Sequence, residues 1–96
     1  MRLVLHPAAL SELVGATGFY EAQAARHGLD FFQEVERVLR ILEENPEVAS
    51  VFDPPYRRYV CRRFPFAVVY RIVGDHVRAL AVMHQRRRPG YWKSRD

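Results

Sequence analysis

The sequence holds one cysteine, Cys61, in 96 residues. A lone thiol excludes an intrachain disulfide framework and suits a reducing compartment. Its place inside an expected strand makes Cys61 a small core residue, not a nucleophile. No run approaches the ~20 apolar residues of a membrane span. The opening "MRLVLHPAAL" is too short an apolar run before His6-Pro7 to be a secretory signal. A cytoplasmic protein without a membrane partner is therefore expected. There is no Gly-rich phosphate loop, no H-E-x-x-H and no Cys/His cluster at metal spacing. His6, His27, His76 and His84 are scattered, so neither a metal nor a cofactor is expected. No Ser/His/Asp set is legible, and Asp53 and Asp75 fall in or beside turns, where Asp is ordinary.

What is present is charge, unevenly spread. Residues 1–50 carry four arginines against eight carboxylates, a net of −4. Residues 51–96 carry eleven basic side chains against three acidic ones, a net of +8. Such asymmetry points to an anionic partner for the second half, or to two halves that attract each other. At this length one domain is expected over residues 1–96, with a tail from about 89 to 96.

The pattern predicts an α+β chain. Arg2–Leu5 reads as a short strand, and Pro7 suits the first position of a helix. In that helix Leu10, Leu13, Val14, Thr17, Tyr20 and Ala24 fall at helical spacing, and Gly28 is expected to close it in a left-handed cap. A second helix follows, with Asp30 and Gln33 as a capping box. Its apolar stripe is Phe31, Phe32, Val35, Val38, Leu39 and Leu42, and Asn45-Pro46 stops it. Residues 46–56 read as a loop. Three strands complete the chain, "YRRYVCR", "FAVVYRIV" and "HVRALAVMH", the last two joined by a Gly74-Asp75 turn.

That turn sets a register. One sheet face then shows Phe66, Val68, Tyr70 and Ile72 with Val77, Ala79, Ala81 and Met83, and should lie under the helices. The other shows Ala67, Val69, Arg71 and Val73 with His76, Arg78, Leu80, Val82 and His84. A second turn at Phe64-Pro65 adds Arg58, Val60 and Arg62 to this second face and turns Tyr59 and Cys61 inward. Val60, Val69, Leu80 and Val82 form an apolar strip there, and an exposed strip usually marks a partner site. The alternative is that the tail folds back over it with Tyr91 or Trp92. Arg86, Arg87 and Arg88 follow the last strand, with Tyr91 and Trp92 close behind. Guanidinium groups contact phosphate and carboxylate bidentately, and aromatics serve as stacking platforms or interface anchors. Arg58, Arg62, Val69, Arg71, Arg78, Leu80, Val82, His84, Arg86, Arg87, Arg88, Tyr91 and Trp92 are the candidate binding residues.

The stretch "RRFPFAVVYRIVGDHVRALAVMHQRRRPGYW" resembles the C-terminal half of the ParE/RelE toxin superfamily, most closely its ParE-like branch. "GLDFFQEVERVLRILEENP" resembles that family's second helix, and "HPAALSEL" with Phe19-Tyr20 its first. The resemblance implies a β-α-α-β-β-β domain, with a helical hairpin on one face of a small, mainly antiparallel sheet. It implies the toxin half of a type II toxin–antitoxin pair, neutralised by a cognate antitoxin with an acidic, flexible segment. Operator DNA would be bound only through that complex. ParE-like members act on DNA gyrase and RelE-like members cut messenger RNA on the ribosome. The ribonuclease branch tends to place a catalytic arginine where this chain has Ala67, which leaves Arg71, Arg86 and Tyr91 as its candidates. The resemblance thus favours a gyrase-directed toxin that is not an enzyme. The alternatives are a metal-independent ribosome-dependent endoribonuclease and a plain nucleic-acid-binding module.

Overall fold

The computed structural model describes residues 1–96. Strand β1 (Arg2–Leu5) leads into helix α1 (Pro7–Gln23). Pro7 occupies the first helical turn, where a missing N–H costs nothing, and His6 Nδ1 accepts the Ala8 N–H at 3.0 Å. Helix α1 turns Ala9 and Leu13 into the core, with Ala16 and Tyr20 packed against it. Leu10 and Val14, expected inside, are exposed. The helix is apolar on most sides, so its periodicity does not distinguish the inner stripe from the outer one.

Helix α2 (His27–Glu44) begins earlier than the expected capping box at Asp30. The cap comes from the preceding helix. The Glu21 carboxylate accepts the N–H groups of Arg26 at 3.2 Å and Gly28 at 3.1 Å, two of the donors a helix start leaves open. The left-handed residue between the helices is Arg26, with φ 71°, and not Gly28. Gly28 lies within α2 at the helix crossing, where a Cβ would come within 2.6 Å of the Thr17 carbonyl oxygen. The stripe of Phe31, Val35, Val38 and Leu42 is fully buried, with Phe32 and Leu39 beside it. Glu44 ends the helix ahead of Asn45-Pro46, as expected.

The remaining strands are β2 (Val51–Asp53), β3 (Tyr56–Val60), β4 (Phe66–Val73) and β5 (His76–His84). They form one sheet in the order β1-β5-β4-β3-β2, with β1 parallel to β5 and every other pair antiparallel. The expected α+β architecture gains one strand, since β2 falls in the segment read as a loop. Three residues ahead of a cis Pro54–Pro55 bond are too few to show a period.

Around Gly74-Asp75 the register is the expected one, Val73 with His76, Ile72 with Val77 and Arg71 with Arg78. It then shifts. Tyr70 pairs with Ala79 but Val69 pairs with Ala81, so Leu80 is an extra residue on β5. Such a bulge inverts the alternation beyond it. Val82 packs with the helix-side core, and His84 lies opposite Phe66, their rings 5.1 Å apart. Ala81 and Met83 move to the outer face. This corrects the expected placement of all four. On β3 the outcome is as expected to its end: Arg58 pairs with Val69 and Val60 with Ala67, while Tyr59 and Cys61 pack inward. Arg62, expected on the outer face, lies in the loop after β3 and turns toward α2, where its N–H donates to Glu34 at 2.6 Å.

Candidate partner-binding face

The helices cover one side of the sheet, and the chain's own tail covers most of the other. Past Arg88, Gly90 adopts φ 75°, a conformation glycine takes without strain, and the chain turns back. Trp92 is 1% exposed and packs with Ala67, Val69, Leu80, Ala81 and Met83. Its ring meets Tyr56 edge-on at 4.5 Å. The strip expected to await a partner is therefore filled by its own tail at Val69 and Leu80. Val82 has left it through the bulge.

Polar contacts fasten this third layer. Strand β1 pairs with β5 only as far as Ala79, so the edge of β5 beyond it lacks a neighbouring strand. Glu12 and Arg95 substitute for one. Glu12 accepts the Val82 N–H at 3.1 Å, and Arg95 donates to the Leu80 carbonyl at 3.0 Å. The two side chains pair at 2.8 Å, and the Tyr91 hydroxyl donates to Glu12 at 2.5 Å. Backbone groups at a strand edge need such partners.

Further along, Arg71 and Arg78 stand opposite each other on β4 and β5, a like-charge pair that destabilises a sheet by itself. Asp96 neutralises both, at 2.6 and 2.9 Å, and accepts the Tyr56 hydroxyl at 2.8 Å. Burial works against the Asp96 anion, but hydrogen bonds from Tyr56, Arg78 and Arg71 outweigh it and hold its pKa below the ordinary carboxylate value. Lys93 pairs with Asp53 at 2.7 Å.

The cations left over gather at one end of the sheet. The Gln85 N–H donates to the Pro65 carbonyl at 2.8 Å, which sets Arg86, Arg87 and Arg88 beside the loop bearing Arg62 and Arg63. Arg86 and Arg88 are exposed, and neither forms an ion pair. Arg87 stacks over Tyr91 at 3.9 Å and lies 4.0 Å from Glu12. Arg58 stacks over Phe52 at 4.7 Å. His84 Nδ1 accepts the Arg86 N–H at 3.0 Å, which closes the turn after β5.

The thirteen candidates thus fall into three groups. Val69, Leu80, Tyr91 and Trp92 form the outer packing layer, with Arg71 and Arg78 held beneath Asp96. Val82 and His84 belong to the helix side. Arg58, Arg86, Arg87 and Arg88 form the open cationic end, with Arg62 turned toward α2. The residues sequence reasoning missed are Glu12, Tyr56, Arg95 and Asp96. Glu12 did carry a signal, as one of only two charged residues in α1.

Three observations bear on chemistry. Burial first, and then the hydrogen bond to Glu12, push the Tyr91 phenol well above its usual range, so at neutral pH it is a donor and not a base. Arg71 is held by a carboxylate, and Ala67 is fully buried. Burial pushes the Cys61 thiol up to about 12, which keeps it protonated and unreactive. No three His, Cys, Asp or Glu side chains gather in an arrangement able to hold a metal ion, and no helix is long and apolar enough to cross a membrane.

Compared with known proteins, residues 3–89 match the family model described as "ParE toxin of type II toxin-antitoxin system, parDE". No curated protein matches the sequence. Among solved structures, one described as "Chromosomal ParDE TA system from P. aeruginosa" has a TM-score of 0.78 at 18% identity. The match covers 88% of this chain and 95% of that one. At that identity the likeness shows the shared fold.

Proposed function

The chain belongs to the ParE toxin family of type II toxin–antitoxin systems, and on that premise we propose that it poisons DNA gyrase without itself catalysing a reaction. A cognate antitoxin holds it inactive through an acidic, flexible segment, and operator DNA is reached only through that complex. The gyrase target rests on family membership. Neutralisation by an acidic segment is supported by the free guanidinium groups at one end of the sheet, Arg58, Arg86 and Arg88. Acidic side chains steer to such a cluster and pair with it.

The endoribonuclease alternative has less support. Its candidate residues are Arg71, fixed on Asp96, Tyr91, a protonated donor to Glu12, and Arg86, which stands apart on the surface. A plain nucleic-acid module would show affinity falling steeply with salt on a log–log plot.

The test is a supercoiling assay with purified gyrase, paired with expression of the toxin alone and together with the protein of the adjacent reading frame. The expected result is loss of supercoiling at micromolar toxin, and growth arrest reversed by the neighbour. Unimpaired supercoiling together with codon-specific messenger cleavage would overturn the gyrase reading.

A further inference from the structure

Trp92 does not fill the outer face completely. Toward β2 and β3 a hollow of about 290 Å³ remains, floored by Phe52, Met83 and Trp92 and lined by Arg58, Gln85, Arg87 and Asp53, the last already paired with Lys93 at 2.7 Å. Val60, 49% exposed, lies on the same face of β3 as Arg58. Phe52 is 39% exposed at its rim. Of the anticipated strip, Val60 alone stays open; Val69, Leu80 and Val82 are buried.

Its walls are unusual in being both cationic and held in place. Arg58 stacks on Phe52 and Arg87 on Tyr91, so each guanidinium is placed over a ring. Stacking leaves the edge N–H groups of a guanidinium free to donate. Ordering done before binding is ordering a partner need not bring about. Arg58 has no carboxylate partner in the chain, and Arg87 only a 4.0 Å approach to Glu12. The hollow thus joins an apolar floor, sized for one bulky side chain, to two donors on its walls that seek carboxylates.

From this we infer that the Phe52–Met83–Trp92 hollow is the anchor site of the antitoxin. It takes one bulky apolar side chain, flanked in the antitoxin sequence by acidic residues that pair with Arg58 and Arg87. Charge complementarity selects this occupant. A second copy of this chain would bring more guanidinium to the site, since residues 51–96 carry a net charge of +8. A neutral apolar segment would leave both arginines unmatched. The inference rests on the toxin reading above and adds where, and by what chemistry, neutralisation is anchored.

The test is calorimetric titration of the toxin with the protein of the adjacent reading frame. Arg58→Glu and Phe52→Ala should each weaken binding at least tenfold. Arg40→Glu, an exposed cation on α2 away from the hollow, should change it less than twofold. Arg58→Glu and Arg40→Glu should melt like the parent, because those side chains are exposed; Phe52→Ala, which loses the edge contact to Trp92, should melt lower but keep the parent's circular dichroism at the titration temperature. In the partner, alanine replacement of its bulky apolar residues one at a time should find one with acidic neighbours whose loss matches Phe52→Ala and is not additive with it. Wild-type binding unaffected by Arg58→Glu and Phe52→Ala overturns the anchor site and leaves the toxin reading standing. No binding by the wild-type pair overturns the toxin reading, and the anchor site with it.

Discussion

Replacing Trp92 with alanine tests whether the tail is a structural layer or a loose end. Trp92 is 1% exposed and is a central side chain of the outer cluster. Truncating a buried Trp to Ala costs about 3–5 kcal/mol, part lost transfer energy and part residual cavity. A chain of this length has a total stability of roughly 5–14 kcal/mol, so the variant should fold but lie near the edge. At about 4–8 °C per kcal/mol, its melting temperature should fall by about 12 °C or more. Urea unfolding followed by circular dichroism at 222 nm is the suitable assay, because the variant has lost the only tryptophan. The midpoint should drop by roughly 1–5 M. A hydrophobic dye should bind the variant, since Val69, Leu80 and Met83 become accessible. Trp92→Phe should recover more than half of the loss. A cost under about 1 kcal/mol with an unchanged urea slope would refute the reasoning, for it would mean that the tail is not bound to the sheet in solution.

Three further outcomes follow from the same geometry. Glu12→Ala should destabilise by about 2–3 kcal/mol, because it leaves the Val82 N–H, the Tyr91 hydroxyl and the Arg95 charge without their acceptor; Glu12→Gln, which keeps an oxygen, should cost less than half of that by urea unfolding. Asp96 has a folded pKa below its unfolded value, so its stabilisation is complete above about pH 4 and is lost as pH falls through the folded value. Asp96→Asn should accordingly be less stable at pH 7 and show a shallower loss of stability as pH falls below about 4 than the parent, as read from melting temperature against pH. Gly28→Ala should destabilise by about 1–3 kcal/mol, because the added Cβ meets backbone at the α1–α2 crossing; an unchanged denaturation midpoint would mean that the helices part at no cost.

Much of this architecture was legible, for identifiable reasons. Gly74-Asp75 marks a two-residue turn between two long β-branched runs, and it fixed the β4–β5 pairing to the residue near the turn. The bulge at Leu80 was not legible, because it exchanges Val82 and His84 for Ala81 and Met83 across the sheet. Three of the four are apolar, and His84 stands half-buried at the strand's end, so the inverted alternation leaves no polar residue stranded in the core. Strand β2 escaped notice because three residues show no period. The α2 cap escaped because Glu21 supplies it across an interhelical turn, beyond the reach of a local Asp-x-x-Gln pattern. At the candidate site, the residue types were readable and their partners were not. Arg71 and Arg78 stood out as cations on the outer face. That Asp96 would close over both depends on the tail's path, which Gly90 and Trp92 permit but do not dictate.

The uneven charge of the sequence takes on a specific meaning in the fold. The acidic first half contributes Glu12 to the tail and Glu34 to the loop after β3, where it accepts the Arg62 N–H and pairs with Arg37. The tail contributes Asp96 to the centre of the sheet. Each carboxylate neutralises or satisfies groups along the body of the molecule, so the surplus cations of the second half are not spread evenly. Those without a carboxylate partner include Arg58, Arg86 and Arg88, at one end of the sheet. Exposed charges further apart than about 8–10 Å are largely screened at physiological salt, so a partner senses this cluster and not the net charge of +4. An acidic segment guided there arrives at the mouth of the one apolar hollow that the tail leaves open on the outer face. Steering and anchoring therefore share one location. Reversing Arg86 or Arg88, at the rim of that end, should slow association without altering the dissociation rate, while changes at Phe52 should do the opposite.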